Sequence, residues 1–356
     1  MAAVSSNKVL TTGKKEEINT SKYNISDAMQ LDIEPSIVAY AGKLSNSYDM
    51  ALLPNGDIIC LGHNLPNCNN VLIIHTDKKS IRSSMKHRLN EEDITIHCLD
   101  FPKEPSHANA ITMMPNGYIC IAWARLACVV MYDRHFKTVH VFDSYNVPSS
   151  APIKFNFPSD VAIMIIGNCT VVAICDTLDK YVCLFDSQTK LLLRILHFKL
   201  QPRAIAVINN NLLVVVCIDN DDNEDFVSPL KIPSKIRFKI PNKDLVLFVM
   251  TIEGEIVAKT IVCGKKLCTN LSGVKISVHN NMNIFVSNEG NRSIMSFLWN
   301  SINSTISLTS IFGNTGSNCL VTPRGIIPYN NGDVLVMDPV KYRLYLFSQP
   351  LSTPPK

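Results

Sequence analysis

ICDTLDKYVCLF (174–185), VSNEGNRSIMSF (286–297) and VMDPVKYRLYLF (336–347) align without a gap, and the form they share is the strongest signal in the chain. Each is an apolar run, a polar turn opened by Asp176, Asn288 or Asp338, and a second apolar run ending in Phe185, Phe297 or Phe347. Asp and Asn suit that turn position because their short side chains accept hydrogen bonds from nearby backbone. IAWARLACVVMY (121–132) has the same length and ends in Tyr132, without the acidic start. None of these runs shows 3.6-residue spacing, so they are expected as paired strands rather than helices.

A second signature precedes each pair. Pro158-Ser-Asp-Val161, Pro202-Arg-Ala-Ile205 and Pro323-Arg-Gly-Ile326 are its clear copies, and Ser47-Tyr-Asp-Met50, His107-Ala-Asn-Ala110 and Leu271-Ser-Gly-Val274 are looser ones. A hairpin signal follows each: Asn55-Gly56, Asn116-Gly117, Gly167-Asn168, Asn209-Asn210, Asn280-Asn281 and Asn331-Gly332. Asn and Gly reach positive φ at low cost, which two-residue hairpins require. That gives six units of three plain strands, with outer fourth strands such as TVHVFD (138–143) and LLLRIL (191–196). Four short strands per unit of roughly 40–50 residues describe a propeller blade. The expected fold is an all-β, six-bladed β-propeller of four-stranded antiparallel blades over residues 35–350. The sixth unit runs out after three strands, so SIVAYAGKL (36–44) is expected to supply its outer strand and remove the open edge. Residues 1–34, poor in apolar side chains, read as a flexible tail, and 351–356 as a short C-terminal one.

The series P-x-G-I, hairpin, strand, D/N-turn, R-I-x-V-F resembles the NHL repeat, most closely in PRGIIPYNNGDVLVMDPVKYRLYLF (323–347). The resemblance spans residues 36–349. It implies a rigid disc that binds a protein or RNA partner, as NHL propellers do in the tripartite-motif family. That family carries RING, B-box and coiled-coil segments, whose zinc-ligand spacings and heptads are missing from this sequence, so ligase activity is not implied.

Composition sets further bounds. With 46% hydrophobic and 18% charged residues, the chain can bury a large core. A net charge of +4 is modest for nucleic-acid binding by charge alone, which favours a protein over RNA as partner. The twelve cysteines include no CxxC, and most sit in apolar runs, as free buried thiols do. The N-terminus has no signal-peptide core and no run reaches membrane-spanning length, so a cytoplasmic protein off the membrane is expected.

Two candidate sites emerge. The turns opening the inner strands should ring one mouth of the central channel with Tyr48, Asp49, Asn109, Ser159, Asp160, Arg203 and Arg324. Arg203 and Arg324 occupy the same repeat position and suit an acidic or phosphorylated partner, because guanidinium pairs bidentately with such groups. Asp49, Asn109 and Asp160 could imitate the ligands of a metal-dependent propeller hydrolase or lactonase, but two nearby arginines would repel a divalent cation. No metal or cofactor is therefore expected. The second site is the insertion of the fourth unit. There KIRFKI (235–240) sets Lys235, Arg237 and Lys239 on one face and Phe238 on the other, a strip that could follow the backbone of single-stranded RNA. No nucleophile constellation or Gly-rich phosphate loop appears, and no small-molecule substrate is expected. A non-enzymatic binding scaffold is the leading expectation, with the hydrolase and the RNA-binding domain as its alternatives.

Overall fold

The computed structural model describes residues 18–24, 29–31, 35–40, 48–62, 69–76, 94–102, 106, 108–145, 153–218, 244–263, 274–280 and 282–348. Six sheets form a ring. Blade 1 comprises Met50–Leu52, Ile58–Gly62, Asn70–Ile74 and Ile94–Cys98, from the channel outward. Blade 2 comprises Ala110–Met113, Ile119–Trp123, Cys128–Tyr132 and Thr138–Phe142, and blade 3 Pro158–Ile166, Cys169–Asp176, Tyr181–Asp186 and Leu192–His197. Blade 4 comprises Gln201–Asn209, Leu212–Ile218, Leu245–Thr251 and Ile256–Cys263, and blade 5 Ile276–His279, Asn283–Asn288, Ser293–Asn300 and Thr305–Phe312. Blade 6 has Ile326–Pro328, Val334–Asp338 and Arg343–Phe347, closed antiparallel by Ser36–Tyr40 in the register Arg343↔Tyr40 to Leu346↔Ser36. The expected ring is present over the described residues, and Ser36–Tyr40, the described part of the 36–44 segment, closes it.

The middle strands read as unbroken apolar runs because each blade is pressed between two others. Ile119–Trp123, Cys128–Tyr132 and Val334–Asp338 are buried throughout. Accordingly the core is divided into six clusters, one for each blade-to-blade interface. The last of them joins Met50, Ile58 and Leu72 of blade 1 to Leu335, Met337 and Leu344 of blade 6. Trp123 is core, its indole N–H donating to the Tyr132 hydroxyl (3.2 Å), which donates to the Phe101 carbonyl (2.6 Å).

Asp176 and Asp338 do more than shape their own turns. Asp176 accepts the backbone N–H groups of Asn156 (2.8 Å) and Phe157 (2.9 Å), and Asp338 those of Val321 (2.7 Å) and Thr322 (3.3 Å). In both blades these are the two residues before the proline that opens the inner strand. The carboxylate thus satisfies backbone donors where the chain enters the channel wall, that of Phe157 buried and the others at least partly exposed.

The N-terminal stretch corrects an expectation. Within the residues read as a flexible tail, Asn19–Asn24 forms a strand parallel to Ile256–Cys263 on the outer edge of blade 4. Gln30–Leu31 pairs in parallel with Ile311–Phe312 of blade 5. Two described segments therefore lie on the outer edges of blades 4 and 5, ahead of the strand that closes blade 6. Residues 1–17 and 351–356 lie outside the described residues.

Candidate functional site at the channel mouth

Strand register sets equivalent positions around the ring. On the second strands, Leu61, Ala122, Cys175, Val216, Ser287 and Met337 face Asp49, Ala110, Asp160, Ala204, Lys275 and Gly325 at the start of the inner strands. Blades 1, 3 and 5 thus present Asp49, Asp160 and Lys275, and blades 2, 4 and 6 present Ala110, Ala204 and Gly325. The three charged side chains meet. The Lys275 ammonium lies 3.3 Å from Asp49 Oδ2 and 3.4 Å from Asp160 Oδ1, and all three residues are buried.

Each carboxylate also ties its blade to the next. Asp49 accepts from the backbone N–H of Met50 (2.9 Å) and of Ile111 in blade 2 (3.1 Å), and Asp160 accepts from Ile205 in blade 4 (2.9 Å). Burial pushes the Asp160 carboxyl up to about 6 against the opposing pull of Lys275, with the Asp49 charge adding to the rise. Burial raises Asp49 as well, again against Lys275. Behind this ion triad lies a cavity of about 340 Å³ lined by all six inner strands. Its far end is apolar. The residue three after the shared position is Leu52, Met113, Ile163, Val207, Val278 or Pro328, each at least partly exposed.

The expected ring of site residues is only partly assembled. Asp49 and Asp160 come together, bridged by Lys275. Tyr48 meets Arg324, whose guanidinium lies 5.1 Å from the tyrosine ring centre and 3.2 Å from the Glu289 carboxylate. Arg203 does hold the position equivalent to Arg324, but it is 3% exposed and donates to Gln201 Oε1 (2.8 Å) within its own strand. Ser159 serves blade packing, its hydroxyl donating to the Arg203 carbonyl (2.9 Å). Asn109 is buried and, by register, occupies the position of Arg324 rather than that of Asp160. Lys235, Arg237, Phe238 and Lys239 lie outside the described residues.

Lys275 and Glu289 were missed by reasoning from the sequence. The fifth unit aligned on Leu271-Ser-Gly-Val274, whereas the inner strand begins at Ile276. Hairpin spacing carried the signal: Met50 and Ile326 stand five residues before Asn55 and Asn331, and so does Ile276 before Asn281. Among the described residues there is no group of three or more His, Cys, Asp or Glu able to hold a metal ion, and no helix long and apolar enough to cross a membrane.

Of the nine cysteines whose side chains are described, six are buried, as expected of apolar fillers. Burial pushes the thiols of Cys120 and Cys128 up to about 12. Such thiols stay protonated and unreactive at neutral pH.

No family model and no curated protein matches the chain, so the NHL likeness stays a resemblance of motifs. Solved structures do match. A streptogramin B lyase is 14% identical, covering 89% of this chain and 97% of its own, with a TM-score of 0.53. A virginiamycin B lyase from Staphylococcus aureus, in a catalytically inactive form with quinupristin, is 13% identical over 89% of this chain and 100% of its own, at 0.52. Hydrazine synthase from Kuenenia stuttgartiensis is 12% identical over 91% and 79%, also at 0.52. At these identities the likeness establishes the propeller fold alone.

Proposed function

We propose that this chain is a non-enzymatic scaffold whose channel mouth binds an acidic or phosphorylated segment of a protein partner. The observation that carries the proposal is Arg324. Its guanidinium is steadied against the Tyr48 ring and already holds a carboxylate, that of Glu289. A partner's carboxylate or phosphate can take over from Glu289, since both offer the same bidentate acceptor geometry. The hydrolase alternative is disfavoured because the Lys275 ammonium occupies the space between Asp49 and Asp160 that a cation would need.

An array of acidic and phosphorylated peptides, probed with the full chain and two variants, tests this. Arg324→Ala should lose roughly ten- to a hundred-fold in affinity, the usual cost of ~1.5–3 kcal/mol for a charge-assisted contact. Glu289→Gln removes the internal competitor and should strengthen the same interactions. Identical binding by all three chains would refute the proposal.

A further inference from the structure

The strand Asn19–Asn24 is not needed to complete the propeller. Blade 4 already has four antiparallel strands, and the ring is closed at blade 6 by Ser36–Tyr40. The added strand instead lies parallel to its neighbour, with six residues in register from Asn19↔Ala258 to Asn24↔Cys263. This is how an extended peptide adds to an exposed sheet edge, the main-chain ladder giving affinity and side-chain pockets giving specificity.

One such pocket is visible. The Ser21 hydroxyl enters the seam between blades 4 and 5, 2.6 Å from Thr260 Oγ1 and donating to the Ile306 carbonyl at 2.9 Å. Thr260 is wholly buried with its Oγ1 2.8 Å from the same carbonyl; each hydroxyl has one hydrogen, so Thr260 donates to Ser21 Oγ when Ser21 donates to Ile306, and the subsite is built into the seam. Asn19 adds a second contact, its amide donating to the Asn303 carbonyl (2.9 Å). Its described side chains otherwise lie shallow. Asn19, Thr20 and Lys22 are exposed, and no described residue of the strand is fully buried. Segments with few buried contacts and exposed backbone bonds open at low free-energy cost.

We infer that the outer edge of blade 4, with the blade 4–5 seam, is an acceptor site for an extended protein segment carrying a serine or threonine hydroxyl, and that Asn19–Asn24 occupies it in cis. A tethered occupant acts at an effective concentration on the order of millimolar, so it masks the site from all but strong competitors. Phosphorylated serine would be rejected, because a dianion would face the Ile306 carbonyl. The acceptor site lies on the outer rim and is independent of the channel mouth.

The experiment measures binding of a labelled peptide, NTSKYN, to the full chain and to the full chain carrying Ser21→Asp, which sets a carboxylate against the Ile306 carbonyl and weakens the cis occupant. The Ser21→Asp chain should bind the peptide at least roughly tenfold more tightly than wild type. Peptides with alanine or phosphoserine in the third position should bind roughly tenfold more weakly than NTSKYN. Adding Thr260→Val to the same chain should erase the preference for serine over alanine. Failure of the Ser21→Asp chain to bind NTSKYN, or equal binding of the serine and alanine peptides, would overturn the inference. So would a fall in melting temperature of more than roughly 10 °C on Ser21→Asp, because the strand would then belong to the fold itself.

Discussion

Replacing Lys275 with methionine preserves the length and apolar stem of the side chain and removes only the charge that joins three blades. Asp49 and Asp160 would then share a buried space without the ammonium 3.3 and 3.4 Å away. Removing one partner of a buried ionic group typically costs ~3–5 kcal/mol, because the remaining charge is left uncompensated. For a chain of this size that corresponds to a drop of roughly 4–7 °C in melting temperature. The deficit should depend on pH, with a definite sign. A carboxyl whose folded pKa lies above its unfolded value, 3.8 here, stabilises the protein at low pH and loses that contribution as pH rises through the folded value. In the wild type, Asp160 at about 6 completes its share of this loss near neutrality. In Lys275→Met both carboxyls titrate higher, so stability should go on falling between pH 7 and 8.5. Thermal melts and urea titrations at pH 6, 7 and 8.5 measure this directly. Adding Asp160→Asn removes the second charge and should recover most of the loss at pH 8.5. A Lys275→Met chain that melts like wild type at pH 8.5, or shows the same deficit at pH 6 and 8.5, would refute the account of the triad as an electrostatic clamp.

Other changes probe separate links. Gly325→Ala should cost ~1–3 kcal/mol in a urea titration, because its Cβ would lie 2.7 Å from the Met50 backbone nitrogen, which cannot turn aside. Asp338→Ala should cost about 3 kcal/mol by the same measurement, since the Val321 and Thr322 donors lose their acceptor in a partly buried position. Under brief alkylation read by mass spectrometry, exposed Cys98 should be modified before buried Cys60, Cys120, Cys175, Cys183 and Cys217; equal labelling would mean that the blades open together.

The fold was legible because a propeller repeats its physics. Every blade needs two buried strands joined by a polar turn, so the aligned runs ending in Phe185, Phe297 and Phe347 declared the architecture. Outer strands were expected at 138–143 and 191–196 despite mixed burial, because the unit length left room for them, and the structure has them at Thr138–Phe142 and Leu192–His197. The rim strand at 19–24 was not legible. A parallel strand held by main-chain bonds and the polar side chains of Asn19 and Ser21 needs no apolar alternation, and NTSKYN shows none. The site was half legible: Asp49, Asp160, Tyr48 and Arg324 were named as mouth residues, but their partners Lys275 and Glu289 were not. Those partners come from blade 5, whose inner strand lacks the opening proline that fixed the frame at Pro158, Pro202 and Pro323.

That frame matters because the shared position obeys a rule visible only once all six registers are known. The fold asks little of it. Ala110, Ala204 and Gly325 show that a small residue suffices, and at Gly325 nothing larger fits beside Met50. Charges stand only on alternate blades, two negative and one positive, so each is flanked by small neighbours that leave the channel open for it to reach inward. Alternation also lets a single ammonium contact both carboxylates, which sit on blades that do not adjoin its own. Had Lys275 been an alanine, two buried carboxylates would face each other across the channel. Had Asp160 been an alanine, Ile205 would lose the acceptor that ties blade 4 to blade 3. The three residues therefore constrain one another more tightly than the fold constrains any of them. Recognition of a partner is accordingly easier to build on the surrounding rim, at Tyr48, Arg324 and Glu289, where a change of contact does not unbalance the triad.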